Sequence, residues 1–194
     1  MTPLDELHTV RLHLLASDPA LAEAVAAFYR RNRSAHARWN PPHGREMYSA
    51  RGQLERLTST RSAIAAGSFI GWWLFDAQAP GAALGLIHFS QISRGPYCGA
   101  MLGYAIDREH EGRGLMHEAL AAALADVFSE RVALHRVQAN VRPENERSLA
   151  LLEHLGFERE GLARRYLFIE GAWRDHVMTA LRHPSWPDTR PPPR

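Results

Sequence analysis

A chain of 194 residues with 45% hydrophobic and 23% charged residues has the length and make-up to bury one sizeable core, which excludes a disordered chain or a small disulfide scaffold. The formal net charge of +2 gives no ground for nucleic acid as a direct partner, and a single cysteine, Cys98, rules out an internal disulfide. No apolar run is long enough to span a bilayer, no His or Cys cluster has zinc-site spacing, and the acidic start Met1-Thr2-Pro3-Leu4-Asp5-Glu6 lacks the build of a secretion signal. A cytoplasmic protein without metal or membrane partner is expected.

Val10-Arg11-Leu12-His13-Leu14 alternates with a period of two and predicts a first strand with Val10, Leu12 and Leu14 facing one way. Asp18-Pro19 then opens a helix carrying Leu21, Val25 and Phe28, because Asp caps and Pro suits the first helical position. Trp39-Asn40-Pro41-Pro42 cannot continue a helix, since each proline lacks an N–H and restrains its predecessor. A second helix is expected from about Arg45 to Ala66, with Leu54, Leu57, Arg61 and Ile64 down one side and Gly67 ending it. Ser68 to Phe75, Ala83 to Ile92 and Gly99 to Ile106 read as three strands.

A helix beginning near Leu115 sets Met116, Ala119, Leu120, Ala123, Leu124 and Val127 on one stripe. Arg136 to Val141 alternates again, with Val137, Ala139 and Val141 on one face. Asn145 caps a further helix carrying Leu149, Leu152 and Leu155, which Gly156 ends ahead of Phe157. Tyr166 to Trp173 reads as a hairpin turning at Glu170-Gly171, its second strand reaching Leu181. The pattern βααβββαβαββ implies a mixed α/β sheet, one domain over residues 1–183 followed by a mobile proline-rich tail, 184–194.

Glu111-Gly112-Arg113-Gly114-Leu115-Met116 carries the chemistry, standing between the strand ending at Ile106 and the helix after it. Two glycines let backbone approach an anion, and the first helical turn offers unpaired N–H groups and a positive dipole end. A Walker-type phosphate loop is excluded because the Gly-Lys-Ser/Thr ending is missing. A dinucleotide site is excluded because the third glycine is absent.

That loop, the order of elements, and Asn145-Glu146-Arg147-Ser148 opening a helix that closes with Leu155-Gly156-Phe157-Glu158 together resemble the GNAT N-acetyltransferase superfamily. Within it, Gly112 to Met116, Leu155 to Gly161 and Trp173-Arg174-Asp175-His176-Val177-Met178-Thr179-Ala180-Leu181 are similar to ribosomal-protein alanine N-acetyltransferases of the RimJ/RimL type. The superfamily's loop usually begins with Gln or Arg and ends with Gly or Ala, where this one has Glu111 and Met116. Glu111 should therefore point outward or pair with an arginine.

The resemblance implies a GNAT-like, mostly antiparallel sheet flanked by helices and splayed between the strands at Gly99 to Ile106 and Arg136 to Val141. It implies acetyl-CoA as co-substrate, held by Ile106, Glu111, Gly112, Arg113, Gly114, Leu115, Met116 and Asn145, with Ser148 donating to the leaving sulfur. The glutamate proposed as base in some RimL-type enzymes falls at Leu167, so the hairpin's Glu170, Asp175 and His176 are the candidates, with Asp175 chosen as partner of the acceptor amine. Asp175 and His176 are adjacent, so at most one faces the cleft. Trp39, Tyr104, Tyr166 and Glu170 are expected on the acceptor side, and one of Trp72 and Trp73 in the core. The remaining histidines read as scattered surface or polar-core residues.

The implied acceptor is a protein N-terminus, such as that of a ribosomal protein, bringing nucleic acid near only indirectly. Small amines, such as antibiotics or polyamines, predict instead a narrow acidic pocket. A non-catalytic CoA- or ribosome-binding regulator predicts a continuous basic face. Self-pairing as a homodimer is compatible with each.

Overall fold

The computed structural model describes residues 5–187 together with Thr189, Pro191 and Pro192. In chain order its elements are β1 (Glu6–His8), β2 (Leu12–Ala16), α1 (Ala22–Ala37), α2 (Ala50–Ala65), β3 (Ile70–Asp76), β4 (Gly85–Ser93), β5 (Gly99–Ile106), α3 (Leu115–Val127), β6 (Arg136–Val141), α4 (Glu146–His154), β7 (Glu158–Ile169) and β8 (Ala172–Arg182). One sheet takes the strands in the order β1-β2-β3-β4-β5-β6-β8-β7. Every neighbouring pair is antiparallel except β5 and β6.

Helices cover both faces of this sheet. The α3 stripe expected from the sequence is buried throughout, and it packs with Trp72, Ile87, Phe89, Leu102 and α4's Leu149 and Leu152. Val25 and Phe28 of α1 and Leu57 of α2 cover the other face, against Trp73, Phe75 and Leu86. Covering on both sides explains why β3 is apolar along its length rather than alternating. Trp72 and Trp73 both end up in the core, on opposite faces.

Three departures from the sequence reading have local causes. Val10 is 90% exposed, because the chain reverses between β1 and β2 with Thr9 N donating to the Leu12 carbonyl (2.9 Å), and β2 starts only at Leu12. The second helix divides into a 3₁₀ turn, Arg45–Tyr48, and α2, whose cap is Ser49; this rotates the buried stripe onto Gln53 and Leu57 and leaves Leu54 exposed. The last hairpin turns where expected, with Glu170 and Gly171 both at positive φ (51° and 73°), but β7 begins as early as Glu158. In the proline-rich tail, Trp186 packs edge-on against His135 and His183 (5.6 Å each), while Asp188, Arg190, Pro193 and Arg194 lie outside the described residues, as do Met1 to Leu4. Among the described residues no helix is long and apolar enough to cross a membrane.

Candidate active site

Two features of the fold meet at one place. Between β5 and α3 the chain passes through Glu111 to Gly114, with Gly112 at φ 74° and Gly114 at φ 75° as the left-handed cap of α3. No side chain caps that helix, and among the described residues the N–H groups of Gly112, Arg113 and Gly114 have no hydrogen-bond acceptor. The loop thus presents bare donors at the positive end of a helix dipole, the arrangement that binds an anion. Glu111 does not intrude, because its carboxylate pairs with Arg147 on α4.

Arg11, in the β1–β2 turn, props the loop from behind. Its Nη1 donates to the Arg113 carbonyl (2.9 Å) and its Nε to Glu118 of α3 (2.7 Å). Alternating polarity along the chain gives no sign of this role, which arises only when β2 lies beside α3.

The second feature is the parting of β5 and β6. They pair only from Gly99 to Met101 with Arg136 to Gln138, so Leu102 to Ile106 show an unpaired edge toward Ala139 to Val141. The cleft so opened has a volume of about 820 Å³ and is lined both by this edge and by Gly112, Gly114, Leu115 and Met116. On its floor the Tyr104 hydroxyl lies 2.5 Å from Ser148 Oγ. Burial pushes the Tyr104 phenol up to about 12, so it stays protonated and can donate to Ser148, freeing the serine's own proton for another acceptor. Asn145 caps α4 by accepting from Ser148 N (3.2 Å), which sets the serine at the first turn.

Side chains from the α1–α2 face build the opposite wall. His36 donates from Nε2 to the Ile106 carbonyl (2.9 Å), tying α1 to the end of β5. Asp107, 1% exposed, reinforces that tie by accepting from Arg31 (2.5 Å), Asn32 (3.1 Å) and Glu109 N (3.0 Å). Burial alone would raise its carboxyl, but these donors outweigh it and hold the group below the usual carboxylate range. His88 lies over Gly103, where a Cβ would stand 2.5 Å from its ring, and stacks on Phe69. Burial, helped by Arg56, lowers the His88 pKa to about 4, and burial also lowers His43 and His176. The Trp39 ring meets the guanidinium groups of both Arg38 (4.2 Å) and Arg142 (5.6 Å). The wall is therefore rich in arginine and in imidazoles, of which His43, His88 and His176 are held toward the neutral form.

Comparison with known proteins gives this geometry a family. The model for the acetyltransferase (GNAT) domain matches residues 11–158. The chain is a GNAT acetyltransferase. It is 38% identical over 185 residues to the ribosomal protein uS5-alanine N-acetyltransferase of Escherichia coli, covering 95% of this chain and 94% of that protein. Among solved structures it resembles ribosomal-protein-S5-alanine acetyltransferase from Vibrio fischeri (TM-score 0.89, 28% identity, 94% and 98% of the two chains). It also resembles Mycobacterium smegmatis RimJ in complex with CoA-disulfide (TM-score 0.87, 28% identity, 97% and 93%). The sheet expected from the resemblance, mostly antiparallel and parting between Gly99 to Ile106 and Arg136 to Val141, is the sheet observed.

Within the acetyltransferase, most of the expected site residues share the cleft: Trp39, Tyr104, Ile106, Glu111, Gly112, Gly114, Leu115, Met116, Asn145 and Ser148 all line it. Arg113 is not in the lining; its carbonyl is held by Arg11. Asp175 is not in the lining; its Oδ1 accepts from Arg165 N (2.8 Å), bridging the bulge between Ala163 and Leu167 in β7, and its neighbour His176 takes the cleft-facing position. Tyr166 stands just outside, accepting from Asn140 (2.9 Å), and Glu170 pairs with Arg142 (3.1 Å) beside a smaller recess of about 260 Å³ bounded by Pro41, Pro42 and Tyr48. The histidines depart most from expectation. His36, His43, His88 and His176 come from four separate elements or loops and converge on one cleft, which no spacing along the chain reveals.

Proposed function

We propose that this acetyltransferase moves the acetyl group of acetyl-CoA onto the N-terminal α-amine of a protein, with a ribosomal protein as substrate. The single observation carrying this reading is that the unsatisfied N–H loop and the unpaired β5 edge open into one cleft. Gly112 to Met116 would hold the diphosphate through backbone N–H groups, and the Leu102 to Ile106 edge would receive the pantetheine amides as an added strand. Acetyl-CoA supplies an activated acyl carbon and a thiolate leaving group.

The chain's own residues align, donate and exclude. Ser148, polarised by Tyr104, would donate its hydroxyl proton to the departing sulfur, which would lower the cost of negative charge developing there. The incoming amine must be neutral to attack. An α-amine with a pKa of about 8 has a usable neutral fraction near pH 7, whereas a lysine amine at about 10.4 has almost none. An acceptor wall carrying Arg56 and Arg142 beside His43, His88 and His176, whose burial favours the neutral ring, favours that neutral amine and disfavours a polycation. The names of the relatives in Escherichia coli and Vibrio fischeri, both alanine N-acetyltransferases of a small-subunit ribosomal protein, favour the same substrate class.

The test is free-thiol release from acetyl-CoA with peptides beginning Ala, Ser or Met, run beside a polyamine and an aminoglycoside. Turnover is expected with the Ala-initiated peptide above the rest. Consumption of the small amines with every peptide untouched would overturn the reading.

A further inference from the structure

A cluster of side chains on the far edge of the sheet has no part in the reaction just described. The β1–β2 hairpin sets His8 directly opposite His13, with Glu6 two residues ahead of His8. Residues two apart on a strand, and residues directly opposite on a neighbouring strand, share a face. All three side chains therefore point the same way. The Glu6 carboxylate lies 3.2 Å from His8 Nε2 and 4.0 Å from His13 Nδ1, and the two imidazoles meet edge to face at 4.5 Å. One donor atom from each residue falls within 4.8 Å of the other two.

We propose that Glu6, His8 and His13 bind a divalent transition-metal ion of the zinc class. Two imidazoles and one carboxylate suit zinc, copper or nickel, while calcium and magnesium want a shell of oxygens that a single carboxylate cannot provide. A tetrahedral ion with bonds of roughly 2.0–2.1 Å holds its donors about 3.3 Å apart. The Glu6–His8 separation already matches that spacing. His13 needs only to swing inward, and the side chains of Glu6, His8 and His13 are 44%, 57% and 35% exposed, so rotation is unobstructed by a packed core. The remaining coordination position faces solvent.

The ion would do structural work that the empty cluster cannot. Exposed ion pairs contribute little, whereas an ion bound by both strands cross-links them. β1 has three residues, sits at the sheet's edge and pairs with β2 alone, so it is the strand with least to hold it. The same hairpin's turn carries Arg11, which braces the N–H loop through the Arg113 carbonyl. Spacing along the chain gives no sign of the site, because Glu6-x-His8 and His13 converge only when the hairpin closes.

The test uses the full chain, free of any histidine tag and stripped with chelator, titrated with Zn²⁺ by calorimetry and with Co²⁺ by visible absorption. One equivalent of Zn²⁺ is expected to bind and to raise the melting temperature, since an ion that binds only the folded state stabilises it. His8→Ala and His13→Ala should each weaken binding by at least about tenfold, with a smaller loss for Glu6→Gln. All three variants should keep the metal-free rate of acetyl transfer, which separates failure of this site from failure of the proposed reaction. The chain has 11 histidines, so binding elsewhere is the alternative to exclude. Equal Zn²⁺ affinity in the wild type and a His8→Ala/His13→Ala double variant would overturn the assignment, as would no binding to the folded wild type.

Discussion

The two walls of the cleft are built from different material. The wall proposed to hold the cofactor is main chain: the N–H groups of Gly112 to Gly114, the first turn of α3 and the bare edge of β5. The wall proposed to face the acceptor is side chain: His36, His43, His88, His176, Trp39, Arg56 and Arg142, delivered from separate parts of the fold. A ligand common to a whole family can be held by groups every residue carries, and then few side chains are committed to it. A particular acceptor has to be distinguished by shape and charge, which only side chains supply.

Chemistry at the junction should respond most. Ser148→Ala is expected to lower kcat by about 10²-fold while the KM for acetyl-CoA barely moves, because the lost donor matters only as sulfur gains charge. Tyr104→Phe should give a smaller loss of the same kind, of roughly tenfold. Steady-state kinetics measure both, and an unchanged kcat in Ser148→Ala removes that residue from the mechanism.

On the cofactor wall alone, Gly114→Val places a β-branched residue at φ 75° and should weaken acetyl-CoA binding by about 10²-fold in calorimetry. Acceptor KM should change far less. Equal cofactor affinity in the variant would contradict a backbone cradle.

The tie between the walls is testable by stability. Asp107→Ala takes the shared carboxylate from Arg31 and Asn32, leaving them only the Ala83 and Phe28 carbonyls, and should cost about 2–4 kcal/mol in urea unfolding. On the acceptor wall, folding keeps His88 neutral down to about pH 4, whereas the unfolded chain protonates it near 6.5. The folded state then binds fewer protons across that window, so stability is full above pH 6.5 and falls as pH drops toward 4, by up to about 3 kcal/mol. His88→Gln should flatten that slope.

The smallest effect belongs to the prop. Arg11→Ala should raise the acetyl-CoA KM by roughly threefold with kcat preserved, since it removes one charged hydrogen bond to the loop and leaves the loop's own N–H groups in place. A loss confined to kcat would mean Arg11 acts elsewhere.

The difference between the walls also governs what could be read from the chain. Local rules reach local features: the α3 stripe is buried as its spacing requires, Asn145 caps α4, Gly114 takes the left-handed cap, and the hairpin turns at Glu170-Gly171. They fail where a contact spans the fold. Adjacency on a strand makes Asp175 and His176 face opposite ways, yet only the bulge that lets Arg165 N reach Asp175 decides that His176 takes the cleft. Alternation cannot see a chain reversal, so it places Val10 in a strand and gives no sign that Glu6, His8 and His13 meet.

By itself the sequence determined the periodic faces, the helix ends and the glycine loop, because each depends on residues within a turn or two of one another. The tertiary structure alone decided how far β5 and β6 stay paired, which histidines share a wall and which arginine braces the loop. Those outcomes depend on the relative placement of elements distant along the chain, and that placement is set by packing the whole core at once.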